Sequence, residues 1–192
     1  GLAKYLCEGQ KVAQSVKIGD SYEFLPLPAF YDLLNARILG GHVPVVLLVF
    51  AACLAISWVL LSRLRSGRYL YAIGGNEDAA HLSGVPVARI KILAYAMSGL
   101  FAAVAGILQA ANETQGDPEA GVTYELTAIA IVVIGGTSLM GGRGGILLTL
   151  LGTLTIGYLE KILSINAVTE DRRLMLTGFI IVAAVLLQRG KK

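Results

Sequence analysis

Charged residues are absent from residues 43–61 (VPVVLLVFAACLAISWVLL) and from residues 92–111 (ILAYAMSGLFAAVAGILQAA). Each stretch is long enough to cross a bilayer as a helix rising about 1.5 Å per residue. Further uncharged runs occupy residues 126–142, 144–159 and 174–187, the last short but extensible at either end. Uncharged spans of this length are rare in soluble cores. The pattern predicts an all-α integral membrane protein with about five transmembrane helices.

Between the first two runs the pattern changes. Residues 67–87 (GRYLYAIGGNEDAAHLSGVPV) read as a short helix with marked ends. Asn76 is a good N-cap, Glu77 and Asp78 complement the dipole in the first turn, and Gly84 followed by Pro86 stops the helix. So short a helix is marginal in water, so something should hold it. Ala79 and Ala80 are small enough for a partner to approach closely, and Leu82 supplies an apolar anchor. A docking knob and a solvated connector lying on the membrane both fit these residues.

Two spans carry internal signals. Ser98, Ala102, Gly106 and Ala110 recur at four-residue intervals beside Gly99 and Ala103, a row that lets helix backbones approach closely and predicts packing against protein. The third span ends in VVIGGTSLMGGRGGI, with glycine at 135, 136, 141, 142, 144 and 145. Glycine costs roughly 1 kcal/mol relative to alanine in a helix interior. A broken or kinked segment or a tight hairpin is therefore expected, packed on protein or lining a cavity. Thr137 and Ser138 either line that cavity or satisfy freed carbonyls. Glu125 and Thr127 enter the span from its other end, as interfacial residues or substrate contacts.

Charge sets an expected orientation. Residues 62–91 carry Arg63, Arg65, Arg68, Arg89 and Lys91 against Glu77 and Asp78, whereas residues 112–125 carry Glu113, Asp117, Glu119 and Glu125 with no Lys or Arg. The positive-inside rule puts loop 62–91 and the C-terminus in the cytoplasm. Residues 1–42 then begin outside, as an extracytoplasmic segment, or cross the membrane in a way their pattern does not mark. Lys161, Arg172 and Arg173 share an outer loop with three acids, and Glu160 and Lys161 fall at the outer end of the fourth span. Trp58 and the tyrosines near span ends suit an interfacial belt.

The composition adds little more. Of 192 residues, 55% are hydrophobic, and mean hydropathy is +0.69. The net charge of +3 is too small to suggest nucleic acid. Cys7 and Cys53 suggest neither a disulfide framework nor a zinc site, and His42 and His81 are too far apart for a local metal motif. The chain contains no G-x-x-x-x-G-K-[ST], H-E-x-x-H or G-x-S-x-G, so an ATP-binding P-loop, a zinc protease and a common serine hydrolase have no support. No span holds paired acids or an Arg series of the kind that serves proton relays and voltage sensors. The expectation is a pore subunit without catalytic residue, cofactor or metal, driven by a separate partner.

The stretch GRYLYAIGGNEDAAHLSGVPVARIKILAYAMSGLFAAVAGIL, followed by YELTAIAIVVIGGTSLMGGRGGI, closely resembles the permease subunit of bacterial ABC importers for monosaccharides of the ribose, xylose, arabinose and galactose type. The resemblance covers roughly residues 40–187. In that family the permeases form a dimer in the inner membrane, ATPase subunits bind the cytoplasmic side, and a periplasmic sugar-binding protein docks outside. The family segment G-G-N-x-x-A-A-x-x-S-G-[IV] matches Gly74, Gly75, Asn76, Ala79, Ala80, Ser83, Gly84 and Val85. It implies a coupling helix, with Glu77, Asp78 and Leu82 on the same element, seated in a groove of the ATPase. A translocation pathway would involve Glu125, Thr127, Gly135, Gly136, Thr137 and Ser138. The chain departs from the family pattern at Thr127, Ile131, Leu148 and Glu160–Lys161. Family permeases are longer, so the resemblance implies that residues 43–192 form the C-terminal part of the transmembrane domain, without its N-terminal spans.

A permease for branched-chain amino acids or nucleosides is a related alternative, although GGNEDAAHLSGV and VVIGGTSLMGG favour sugars. A truncated, non-transporting membrane scaffold is an alternative of another class. An intramembrane enzyme is disfavoured by the missing motifs.

Overall fold

A computed structural model describes residues 2–8, 11–13, 15–18, 21–24, 31, 34–38 and 43–189. Helices carry most of these residues: α1 (Leu2–Leu6), α2 (Val45–Ser62), α3 (Arg65–Gly75), α4 (Glu77–Leu82), α5 (Val87–Glu113), α6 (Tyr124–Ile134), α7 (Ile146–Ile165) and α8 (Glu170–Arg189). Among the described residues, α2, α5 and α7 are long and apolar enough to cross a membrane. The fold is thus all-α with three clearly apolar long helices. α6 is apolar but only 11 residues long, and α8 opens on a turn rich in charge, Glu170 to Arg173.

Helix boundaries differ from the uncharged runs for local reasons. α5 starts at Val87, five residues before its apolar run, because Pro86 both stops the preceding loop and opens the next helix, with the Ile90 amide donating to the Pro86 carbonyl. α6 stops at Ile134 because Gly136 takes φ +83°. There the Gly136 amide donates to Val133 O and the Thr137 amide to Val132 O, the paired closure of a Schellman motif. α7 runs on to Ile165, so Glu160 and Lys161 lie inside it.

α7 ends the same way, with Ala167 N donating to Ser164 O and Val168 N to Leu163 O, but the left-handed residue is Ala167 at φ +53°. An L side chain is disfavoured there. Ala167→Gly is therefore expected to stabilise the chain by about 1 kcal/mol, read as a higher melting temperature in detergent.

The chain divides into two compact units, residues 1–55 with 95–122 and residues 56–94 with 123–192. In the first, short antiparallel ladders accompany the helices. β1 (Val12–Ala13) pairs with β6 (Gln115–Gly116), β2 (Ser15–Ile18) with β3 (Ser21–Phe24), and β4 (Arg37–Ile38) with β5 (Val43–Pro44). Asn35 Nδ2 donates to the carbonyl of the fully buried Ala111 at 2.7 Å. Lys4 reaches Glu119 at 2.5 Å and Lys11 reaches Asp117 at 2.8 Å. The bond from Lys11 and a second from the Glu119 amide hold the Asp117 carboxyl below its ordinary pKa. The small-residue row of α5 remains open: Ser98, Gly99, Ala102, Ala103 and Gly106 are exposed, so the described residues supply no covering helix.

In the second unit α6 packs against both α7 and α8. Its core holds Ala130, Val133, Ile156 and Thr177. The approach of α6 to α7 is backbone on backbone. A Cβ on Gly135 would lie 2.5 Å from Leu148 O, and one on Gly152 would overlap Ile131 O. Small residues admit such contact where lipid removes the hydrophobic drive.

Candidate functional site

The most elaborately built local structure in the second unit surrounds α4. Asn76 ends α3 and opens α4 in one extended residue, at φ −159° and ψ 110°. Its Oδ1 accepts the Ala79 amide at 2.9 Å. At the other end Gly84 takes φ +79°, with its amide on His81 O and the Val85 amide on Ala80 O, again a Schellman closure. Ser83 Oγ donates to Ala79 O at 2.8 Å. Lys91, on α5, reaches both carboxylate oxygens of Glu77 at 2.6 Å. That pair is exposed and contributes at most about 1 kcal/mol. Glu77, Asp78, Ala79 and His81 are exposed, Leu82 is 87% exposed, and Ala80 turns inward at 5%. Of the two alanines, only Ala79 offers a small surface to a partner. Asn76→Ala removes the cap and is expected to cost about 1 kcal/mol, seen as faster hydrogen exchange at the Ala79 and Ala80 amides.

The preceding helix is pinned to the glycine-rich segment 135–145. Tyr71 Oη donates to Gly144 O at 3.0 Å. A Cβ on Gly74 would lie 2.5 Å from Gly142 N, and one on Gly141 would lie 2.5 Å from Gly74 O. Gly141 and Gly142 take φ +90° and +71°. The segment closes on itself, with Ser138 N donating to Arg143 O at 3.0 Å and Gly141 N to Ser138 O at 3.1 Å, making a hairpin whose Met140 is 88% exposed. A Cβ on Gly144 would meet the Thr137 side chain. The α3–α4 corner therefore rests, backbone to backbone, on the hairpin that joins α6 to α7.

This arrangement splits the expected residues. Gly74 and Gly75 lie with the hairpin, whose base holds Gly135, Gly136, Thr137 and Ser138. Glu125 and Thr127 stand in the first turn of α6, about 12–15 Å along the helix from Gly135, so they do not join that cluster. In the first unit an open groove lined by Pro44, Leu47, Phe50, Cys53, Phe101 and Leu108 is apolar throughout and has no side chain suited to a polar solute. Among the described residues no group of His, Cys, Asp and Glu could hold a metal ion. His42 lies outside the described residues.

Comparison with known proteins decides the family. The family described as "Branched-chain amino acid transport system / permease component" matches residues 3–185. The chain belongs to this permease family. Within it, the ribose import permease protein RbsC of Bacillus subtilis is 47% identical over 153 residues, which is 80% of this chain and 47% of that protein. The L-arabinose transport system permease protein AraH of Escherichia coli is 40% identical over 164 residues, 85% of this chain and 49% of that protein. The D-allose transport system permease protein AlsC of the same organism is 38% identical over 160 residues, 83% and 48%. The chain spans about half the length of these curated relatives. No solved structure matches it.

Against this permease background, sequence reasoning missed Tyr71, Gly141, Gly142 and Gly144 as partners of the α3–α4 corner. The only available signal was the pairing of two glycine clusters, YAIGG and MGGRGG, and nothing local says that they meet.

Proposed function

We propose that this chain is the membrane-spanning permease part of a bacterial ABC importer for a monosaccharide of the ribose, arabinose or allose kind. The observation that carries this reading is 38–47% identity to three sugar permeases over at least 80% of the chain. The family description names branched-chain amino acids, and the sugar relatives favour a monosaccharide.

In this reading the chain sits in the inner membrane, with α2, α5, α7 and α8 as spans and α6 with its glycine hairpin as a fifth, broken one. Residues 62–91 and the C-terminus face the cytoplasm, and residues 1–42 lie outside. α4 is the coupling helix. It meets a separate ATPase subunit through Asp78, Ala79 and Leu82, while Asn76, Ser83 and Gly84 shape its ends. A second permease copy and a periplasmic sugar-binding protein complete the importer. What supports the coupling role is the rigid corner. When ATP binding in the partner draws α4, Gly74 and Gly75 press on Gly141 and Gly142, and the hairpin carries that displacement to α6 and α7. Packed backbone transmits displacement because it cannot be compressed. Solute passes without covalent chemistry, with Gly135–Ser138 at one end of α6 and Glu125 and Thr127 at the other.

The test is uptake. Vesicles containing this chain, a ribose-type ABC ATPase and its binding protein would be given ATP and labelled ribose, arabinose, allose or leucine. ATP-dependent uptake of one of the sugars is expected. Uptake of leucine alone would move the chain to amino-acid transport. ATPase capture without any uptake would favour the scaffold alternative.

A further inference from the structure

We propose that Arg63, Arg65 and Arg68 form a binding surface for the headgroups of anionic phospholipids at the Ser62 end of α2. The 18 uncharged residues of α2 rise about 27 Å, so the chain leaves the hydrocarbon close to Ser62. Arg63 still belongs to that last turn, since its amide donates to Val59 O at 2.9 Å. Its guanidinium lies over the Trp58 ring, 5.3 Å from the centroid. A tryptophan one turn above a span end sits at headgroup depth, and a guanidinium stacked on it is kept there.

The next two arginines are held near the same level by backbone packing. α3 begins at Arg65, and Gly67 in its first turn is buried against the carbonyls of Leu60 and Leu61, where a Cβ would overlap both. α3 is thus folded back on the end of α2. The same face is committed further along the helix to the hairpin, through Tyr71 and Gly74. Arg65 and Arg68, three residues apart, share the exposed side. Among the described residues the ion pairs are Lys4–Glu119, Lys11–Asp117 and Lys91–Glu77, and none engages these arginines. Three guanidiniums at an interface, with no carboxylate paired to them among the described residues, suit the phosphodiester of a lipid, which a guanidinium grips through paired N–H donors. A protein partner is the weaker fit for this surface, because the stack on Trp58 draws Arg63 toward the bilayer. Basic side chains at this depth each raise the preference for an anionic headgroup about fivefold. The inference does not depend on the transported solute.

Trp58 is the single tryptophan of the chain, so its fluorescence reports from beneath Arg63. The full chain would be reconstituted in phosphatidylcholine vesicles containing increasing fractions of brominated phosphatidylglycerol or brominated phosphatidylcholine. The phosphatidylglycerol probe is expected to quench with an apparent affinity about a hundredfold higher, and about 0.5 M NaCl should shrink that difference by screening. The preference should vanish in Arg63→Gln/Arg65→Gln/Arg68→Gln and survive in the corresponding Lys variant. Coincident quenching curves for the wild-type chain would overturn the proposal, as would a preference that persists in the Gln variant. Coincident curves together with loss of ATPase capture in the Gln variant would assign the surface to a protein partner instead. The salt titration needs no variant and stands even if the triple substitution fails to fold.

Discussion

Leu82→Asp is expected to weaken capture of an ABC ATPase subunit by the detergent-purified chain about a hundredfold, while leaving helix content and melting temperature unchanged. Leu82 is 87% exposed on a helix closed at both ends, so in the free chain it stabilises almost nothing. An apolar anchor buried in a partner's groove is another matter: placing a carboxylate there forfeits its burial and leaves an unpaired charge, together about 3 kcal/mol. Ala80→Glu supplies the contrast. Ala80 is 5% exposed and faces its own chain, so the glutamate should lower the melting temperature as well as capture. The two variants separate docking from folding. Wild-type capture by a folded Leu82→Asp chain would remove α4 from the interface.

Gly74→Ala and Gly75→Ala should behave oppositely although they are neighbours in the same helix. A methyl group on Gly74 lands 2.5 Å from Gly142 N, a backbone atom that no rotamer change can move aside. The corner must lift off the hairpin, at a cost of about 3 kcal/mol. A methyl on Gly75 meets nothing within 4 Å, and the better helix former should leave stability equal or raise it by about 0.5–1 kcal/mol. Gly141→Ala should be at least as damaging as Gly74→Ala, since its φ of +90° adds backbone strain to a contact of 2.5 Å with Gly74 O. Melting curves in one detergent would rank all three. Equal melting temperatures for Gly74→Ala and Gly75→Ala would show that the corner does not rest on the hairpin.

The pair also marks where sequence reasoning stopped. The ends of α4 were legible because capping is local: Asn76, Gly84 and Pro86 each act within a few residues of their own backbone. The long apolar helices were legible because charge is costly in hydrocarbon and its absence is easily seen. The break after α6 could be placed near Gly135, because glycines at such density disfavour a continuous helix. Its partner could not be found, since Gly74 and Gly142 meet through the tertiary path and carry no periodic signal. Nor could the inward turn of Ala80 be foreseen. A helix of six residues is too short for an apolar period to distinguish its faces.

The hairpin under α3 has a consequence for biosynthesis. Tyr71 and Gly144, the ends of the hydrogen bond between them, are 73 residues apart in the chain. At translation rates of about 5–20 residues per second, roughly 4–15 s separate the emergence of one from the other. Through that interval α3 has left the ribosome with Tyr71 and the edge of Gly74 facing no hairpin. The nascent chain must hold α3 without its partner until the glycine hairpin arrives to receive it.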